Sequence, residues 1–227
     1  MNTFLLRLVA CLFVVVSSSS HAALYDRGNG LIYDDVLNIT WMQDANYAQT
    51  SGYAAANAVG SLNSGSTNLQ ADGRMGWDAA ITWADQLKYG GYGDWRLASS
   101  GSSPTIGYNI TNSELGHMFY NNLGNTAGNS IYGNVSFSDM AASGGAESFL
   151  NVQGYIYWLG EEYAPNTDAA WAFNNYDGYQ YNPIKNDSRY SWAVRDGDVS
   201  TVPVPAAASL FGSALAGLLV ARRKNKK

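Results

Sequence analysis

Carboxylates are the residues of this 227-residue chain best equipped for chemistry. Glu161, Glu162, Asn166 and Asp168 follow one another closely. They offer the hard oxygen atoms that calcium takes six to eight at a time, and they are the candidate calcium ligands. Asp34-Asp35 and Glu161-Glu162 are adjacent pairs, and Asp196 and Asp198 frame Gly197. Two carboxylates about 5–10 Å apart across a cleft can hydrolyse a glycosidic bond, one as acid and the other as base or nucleophile. Neighbours along a strand point to opposite faces, however, so adjacency in sequence does not bring two carboxylates together. Most of these acids read as solvated turn residues, and calcium is better founded than catalysis.

Tyr163, Trp171, Tyr176, Tyr179 and Tyr181 gather in one stretch rich in Asn and Asp. Aromatic faces beside amides and carboxylates make a sugar-binding surface, because a sugar has an apolar face and a rim of hydroxyls. Tyr163, Tyr176 and Tyr179 are the candidate ligand-binding residues, while Trp171 reads as core. His117, in "LGHMF", has no evident catalytic partner and reads as a packed structural histidine. The chain has no G-x-S-x-G elbow, no P-loop and no extended G-x-G-x-x-G. No catalytic residue is assigned.

The ends say where the chain goes. Arg7, the apolar run Leu8–Val16 and the small residues of Ser20-His21-Ala22 read as a signal peptide, residues 1–22. Cys11 sits too early in that run to be a lipidation site, and it leaves with the signal. The remainder has no cysteine and one histidine, which excludes a disulfide scaffold, a thiol nucleophile and a Cys- or His-built zinc site. All 18 acidic residues lie between Asp26 and Asp198, against seven basic ones, so the body carries a net charge of −11. Such a surface repels nucleic acid and other polyanions, and nucleic-acid binding is excluded.

The elements that must position these residues are short. Tyr25, Leu31, Tyr33, Ile39 and Trp41 read as buried strand residues around a Gly28-Asn29-Gly30 turn. Gly60 to Asn68 reads as an exposed loop. Trp77, Ala80, Ile81, Ala84 and Leu87 form one apolar stripe of a helix over 77–87, ended by Gly90-Gly91. A second helix is expected from Ser113 to about Leu123, capped by Thr111 or Asn112, with Glu114 as the capping-box partner and Gly124 as the stop. From Gly154 to Val199 the chain reads as strands with a turn at Asp177-Gly178, Trp171 and Phe173 lying on a half-buried strand. Trp95 is expected to fill the core, with Arg96 paired to an acid such as Asp94. The class is α+β, with two short helices and irregular antiparallel sheets.

Two resemblances sharpen this reading. The tail has Val202, Pro203, Val204, Pro205, Ala206 and Ala207, then an uncharged apolar run over 206–221, then a basic cluster. At about 24 Å of helix that run is short for a permanent span of about 30 Å. The stretch 202–227 resembles a PEP-CTERM sorting signal of the "VPxPAA" type. The resemblance implies a C-terminal hydrophobic helix holding the chain in the inner membrane until an exosortase-type enzyme processes it. The body, 23–201, has "GGYGDWRL", "SELGHMF", "YWLGEEYAPNTDAAWAFNNYDGYQ" and "WAVRDGD" in that order. It resembles the Lcl C-terminal-like domain family, which implies a C-type-lectin-like fold. Ala98-Ser99 after "WRL" and Leu159-Gly160-Glu161 after "YW" depart from that family's pattern, so no ligand is carried over. "EYAPN" (Glu162–Asn166) loosely resembles the Glu-Pro-Asn calcium loop of sugar-binding lectins, without the "WND" partner.

The expected function is a non-enzymatic surface or matrix module, cell-surface or extracellular after processing, that associates with exopolysaccharide. Its expected ligand is a neutral or cationic polysaccharide. The rival is a secreted carbohydrate-active hydrolase using paired carboxylates.

Overall fold

A computed structural model describes residues 24–58, 65–130 and 149–199. The signal peptide, the sorting motif Val202–Ala207 and the apolar run 206–221 lie outside the described residues. Among the described residues no helix is long and apolar enough to cross a membrane.

The architecture is α+β, with short helices and two antiparallel sheets. Strands β1 (Leu24–Asp26), β2 (Leu31–Asp34) and β3 (Ile39–Met42) are followed by helices α1 (Tyr47–Thr50), α2 (Tyr53–Asn57) and α3 (Trp77–Gln86). Then come β4 (Arg96–Leu97), α4 (Glu114–His117) running into a π-helical turn (Met118–Asn122), β5 (Ile156–Glu162), β6 (Ala170–Asn174), β7 (Tyr179–Tyr181) and β8 (Ala193–Asp196). One sheet has the order β1-β2-β3-β8-β4 and the other β5-β6-β7. The last strand thus sits between β3 and β4, with Trp41 and Arg96 both opposite Val194.

The β1–β2 hairpin forms because Gly28, Asn29 and Gly30 all take the left-handed conformation (φ 76, 55 and 77°), which glycine and asparagine tolerate best. Tyr25 is not a core residue as expected. It is 41% exposed and lies with Tyr33 against the guanidinium of Arg27. Leu31, Ile39 and Trp41 are buried, and so is Ile32 between them, because β2 and β3 are covered on both faces. The same holds for β6, where Ala170, Trp171, Ala172 and Phe173 are all buried rather than alternating.

Helix α3 follows its stripe, with Trp77, Ala80 and Ala84 inward, and it ends at Gln86, before the glycines. Gly90 and Gly91 instead make the turn between Tyr89 and Tyr92. The second helix covers nearly the expected span, 114–122, as α4 continued by the π-helical turn, and Gly124 follows it at φ 61°. Its cap is Ser113 rather than Thr111 or Asn112, the Ser113 Oγ accepting from the Gly116 N–H at 3.2 Å. Glu114 does not close a capping box, because its carboxylate faces Arg96. Helices α1 and α2 were too short to show an apolar stripe. The loop expected over 60–68 is described only from 65, and Asn68 is buried there, donating to the carbonyls of Gly65 and Asn186.

One apolar cluster joins both sheets and the helices. Three of its indoles are tethered at the N–H as well as packed: Trp77 donates to Leu159 O, Trp158 to Met75 O and Trp192 to Met42 O, at 2.7–2.8 Å. Each bond crosses between elements, so the aromatic core also fixes how α3 and the Met75 segment sit on β5.

Candidate functional site

Two places combine exposed chemistry with a defined shape. The first is a cleft of about 480 Å³ between α3, β4, α4 and the end of β5, floored by Ile81, Ala84, Trp95 and Leu97. Arg96 leaves β4 into it and donates two parallel bonds to Glu114 (2.8 and 2.7 Å) and two to Asp196 (3.1 and 2.6 Å). The expected pair with Asp94 does not form. Asp94 takes both bonds of Arg195 instead (2.9 and 2.8 Å), because Arg195 emerges on the far side of the sheet, over the Tyr92 ring. Burial works against the Arg96 charge, but the bonds and charge of Glu114, then those of Asp196, raise its pKa above the ordinary guanidinium value.

Glu161 enters the same cleft. Its oxygens accept from Ser99 Oγ (2.6 Å) and Ser100 N (2.7 Å), while Ser99 N donates to Glu114 (2.7 Å). One serine therefore bridges two carboxylates, which come within about 8 Å of each other given that N and Oγ of a serine are about 3 Å apart. All four oxygens already accept a hydrogen bond. The arrangement clips β4, α4 and β5 together, and in chemistry it is a donor-saturated acid pair over an apolar floor.

The calcium candidates do not share one loop. Glu161 and Glu162 are the last two residues of β5 and diverge, Glu161 into the cleft and Glu162 to the ammonium of Lys185. Asn166 Oδ1 accepts from Asp168 N in the following turn (3.1 Å), and Asp168 borders a separate polar depression with Asp78 and Lys185. Among the described residues no group of three or more His, Cys, Asp or Glu is placed to hold a metal ion. Of the other paired acids, Asp34 and Asp198 are also engaged. Asp34 is fully buried, accepting from Val36 N, Leu37 N and Asn122 Nδ2, whereas Asp35 is exposed. Asp198 binds Arg27 through two bonds of 2.8 and 2.6 Å. His117 is buried, with Nδ1 3.2 Å from Asn121 Nδ2.

The second place is the β6–β7 turn. Here the three tyrosine candidates separate. Tyr163 packs edge-on against Trp171 at 5.4 Å, beside Ala169 at one end of β6. Tyr176 and Tyr179 flank the turn at the other end, where Tyr179 pairs with Asn174. Five residues of strand, about 17 Å, lie between them, so one ligand residue cannot touch all three. Tyr179 is joined instead by Tyr108, whose ring meets it edge-on at 4.7 Å, and continues to Tyr181 at 6.1 Å. Tyr108 and Tyr176 are 45% and 62% exposed. Sequence reading missed Tyr108 because it lies in an irregular loop, brought here by the Gly107–Gln180 bridge and the bonds of Thr105 and Asn109 to Gln180 and Tyr120. The Glu114–Ser99–Glu161 cluster was equally hidden, since three separate segments supply it.

Cations are scarce on both surfaces. Of the seven basic residues in the body, Arg27, Arg74, Arg96, Lys185, Arg189 and Arg195 each pair with a carboxylate. No protein-family model, no curated protein and no solved structure matches this chain.

Proposed function

We propose that this chain is an exported, non-enzymatic module that binds polysaccharide in the layer outside the cell, with a C-type-lectin-like domain delivered by a signal peptide and an exosortase-processed tail. One observation carries the binding reading: the exposed Tyr108 and the part-exposed Tyr179 meet ring to edge at one end of β7, on a turn that also carries Asp177 and the exposed Tyr176. Tyrosines of this kind supply rigid stacking area next to hydroxyl acceptors. The paired cations support a neutral ligand over a polyanionic one, because a surface of net charge −11 without a free basic cluster repels anions. The two antiparallel sheets with their long irregular connections support the lectin-like assignment. Binding of the full-length protein to arrayed neutral, cationic and sulfated glycans tests the reading. Retention on neutral glycans supports it, and retention only on sulfated ones overturns it.

A second reading rests on the cleft. Glu114 and Glu161 approach each other there as the two acids of a glycoside hydrolase do. Their saturation by Arg96, Ser99 and Ser100 favours a structural clip. Release of reducing ends from a neutral polysaccharide, abolished by Glu161→Gln, would move the assignment to a hydrolase.

A further inference from the structure

The turn between β6 and β7 is held in one shape by its own side chains. Asn174 Oδ1 accepts from Tyr176 N and Asp177 Oδ1 accepts from Tyr179 N, both at 3.0 Å. Gly178 takes φ +82° between them, and its carbonyl accepts from the Tyr120 hydroxyl at 2.7 Å. A second segment is locked onto the turn. Gly107 and Gln180 exchange backbone hydrogen bonds of 3.0 and 2.9 Å, which brings Tyr108 to Tyr179. The two rings stand at 64°, forming an aromatic corner rather than a flat patch. The Tyr108 hydroxyl points to Oδ2 of Asp177 across a long 3.5 Å contact, which leaves that oxygen able to take a stronger donor.

We propose that Tyr108, Asp177 and Tyr179, with Tyr176 at the rim, form a subsite for one uncharged pyranose residue of a polysaccharide. The proposal rests on the polysaccharide-binding reading above and gives it a place and a ligand class. A pyranose ring presents C–H groups on its faces and hydroxyls around its edge. The corner between two tyrosines receives a face, and Asp177 Oδ2 accepts from the edge, a hydrogen bond to an ionised acceptor and so one of the stronger kind. The Asp177 charge also pushes the pKa of the Tyr108 phenol up, so its hydroxyl stays a donor. The backbone that carries Tyr108, Asp177 and Tyr179 is fixed before the ligand arrives, which keeps the ordering cost of binding low. Sulfated or carboxylated sugars meet the Asp177 charge, and among the described residues no unpaired cation is placed beside it to compensate.

Affinity electrophoresis of the full-length protein in neutral detergent tests this, through gels containing laminarin, dextran or hydroxyethylcellulose, chitosan, or dextran sulfate. The expected result is retardation by at least one of the neutral polymers, changing less than about two-fold between roughly 50 and 500 mM salt, since charge screening has little to act on. Tyr108→Ala and Tyr179→Ala each weaken retardation about ten-fold, Tyr179→Phe keeps it within about two-fold, and Tyr163→Ala leaves it unchanged. Tyr108 is half exposed, so its variant decides the matter if Tyr179→Ala fails to fold by circular dichroism. Retardation by a neutral polymer that survives Tyr108→Ala overturns this subsite and leaves the binding module standing. No retardation of the unmodified protein by any polymer overturns both. Salt-sensitive preference for chitosan overturns the uncharged ligand.

Discussion

Arg96 on β4 and Glu114 at the start of α4 meet in two parallel hydrogen bonds, 2.8 and 2.7 Å long. The Glu114 side chain is 13% exposed, and the pair closes the wall of the cleft. Removing Arg96 leaves the Glu114 carboxylate largely buried with no opposite charge, only the Ser99 N–H. Arg96→Met is expected to lower stability by about 2–3 kcal/mol, below the range for a fully buried pair because Arg96 itself remains partly solvated. The double variant Arg96→Met/Glu114→Met should recover part of that loss, though not all, since Ser99 N then lacks its acceptor. Urea midpoints of Arg96→Met, Glu114→Met and the double variant read this directly. A loss in the double variant equal to the sum of the two single losses would show that the pair is not coupled.

Asp94 and Arg195 give a pH signature. The hydrogen bonds from Arg195 hold the Asp94 carboxyl below the usual carboxylate range. A depressed folded-state pKa means that the pair's contribution is complete above the unfolded aspartate value of about 3.9 and is lost as pH falls through the folded value. Asp94→Asn should therefore show a smaller fall in denaturation midpoint between pH 5 and pH 3 than the parent, with the two converging at the acid end. An unchanged acid dependence would mean that solvent already screens this exposed carboxylate fully.

Gly178 links stability to the tyrosine corner. Its φ of +82° disfavours any side chain, and an added Cβ would run into the Tyr120 hydroxyl and Phe119 ring. Gly197 has a similar φ of +76° and open space around it. Gly197→Ala should cost about 1–2 kcal/mol from backbone strain alone, and Gly178→Ala clearly more. Thermal unfolding of both separates strain from crowding, and equal costs would show that Tyr120 yields freely.

Legibility in the sequence followed the range of the interactions. The Gly28–Gly30 turn, the α3 stripe and the burial of Trp95 are set by neighbours in the chain, and the expected patterns match the structure. Arg96 finds its acids 18 and 100 positions away, and Tyr108 reaches Asp177 across 69 positions. Nothing local marks such partners, which is why the sequence pairs Asp94 with Arg96 and groups Tyr163 with Tyr176 and Tyr179, although β6 separates them. The expected alternation in β6 failed for a related reason. Period-two patterning assumes one wet face, and this strand has none.

Trp95 offers the cleanest test of the core. It is 3% exposed, stands edge-on to Tyr89 at 5.8 Å and donates to the Tyr89 carbonyl at 3.3 Å, while its other side floors the cleft. Trp95→Ala removes the largest side chain between α3 and β4, and the surrounding backbone is tied by the Arg96 and Ser99 bonds. The site cannot collapse into the space, so the cavity term adds to the lost transfer energy, and the expected cost is about 3–5 kcal/mol. Trp95→Phe keeps part of the ring and loses the Tyr89 bond, so it should fall well below that, at about 1–2 kcal/mol. A Trp95→Ala loss under about 1 kcal/mol would mean that the cleft side of the indole is effectively solvent and that the core ends at Trp83 and Leu97.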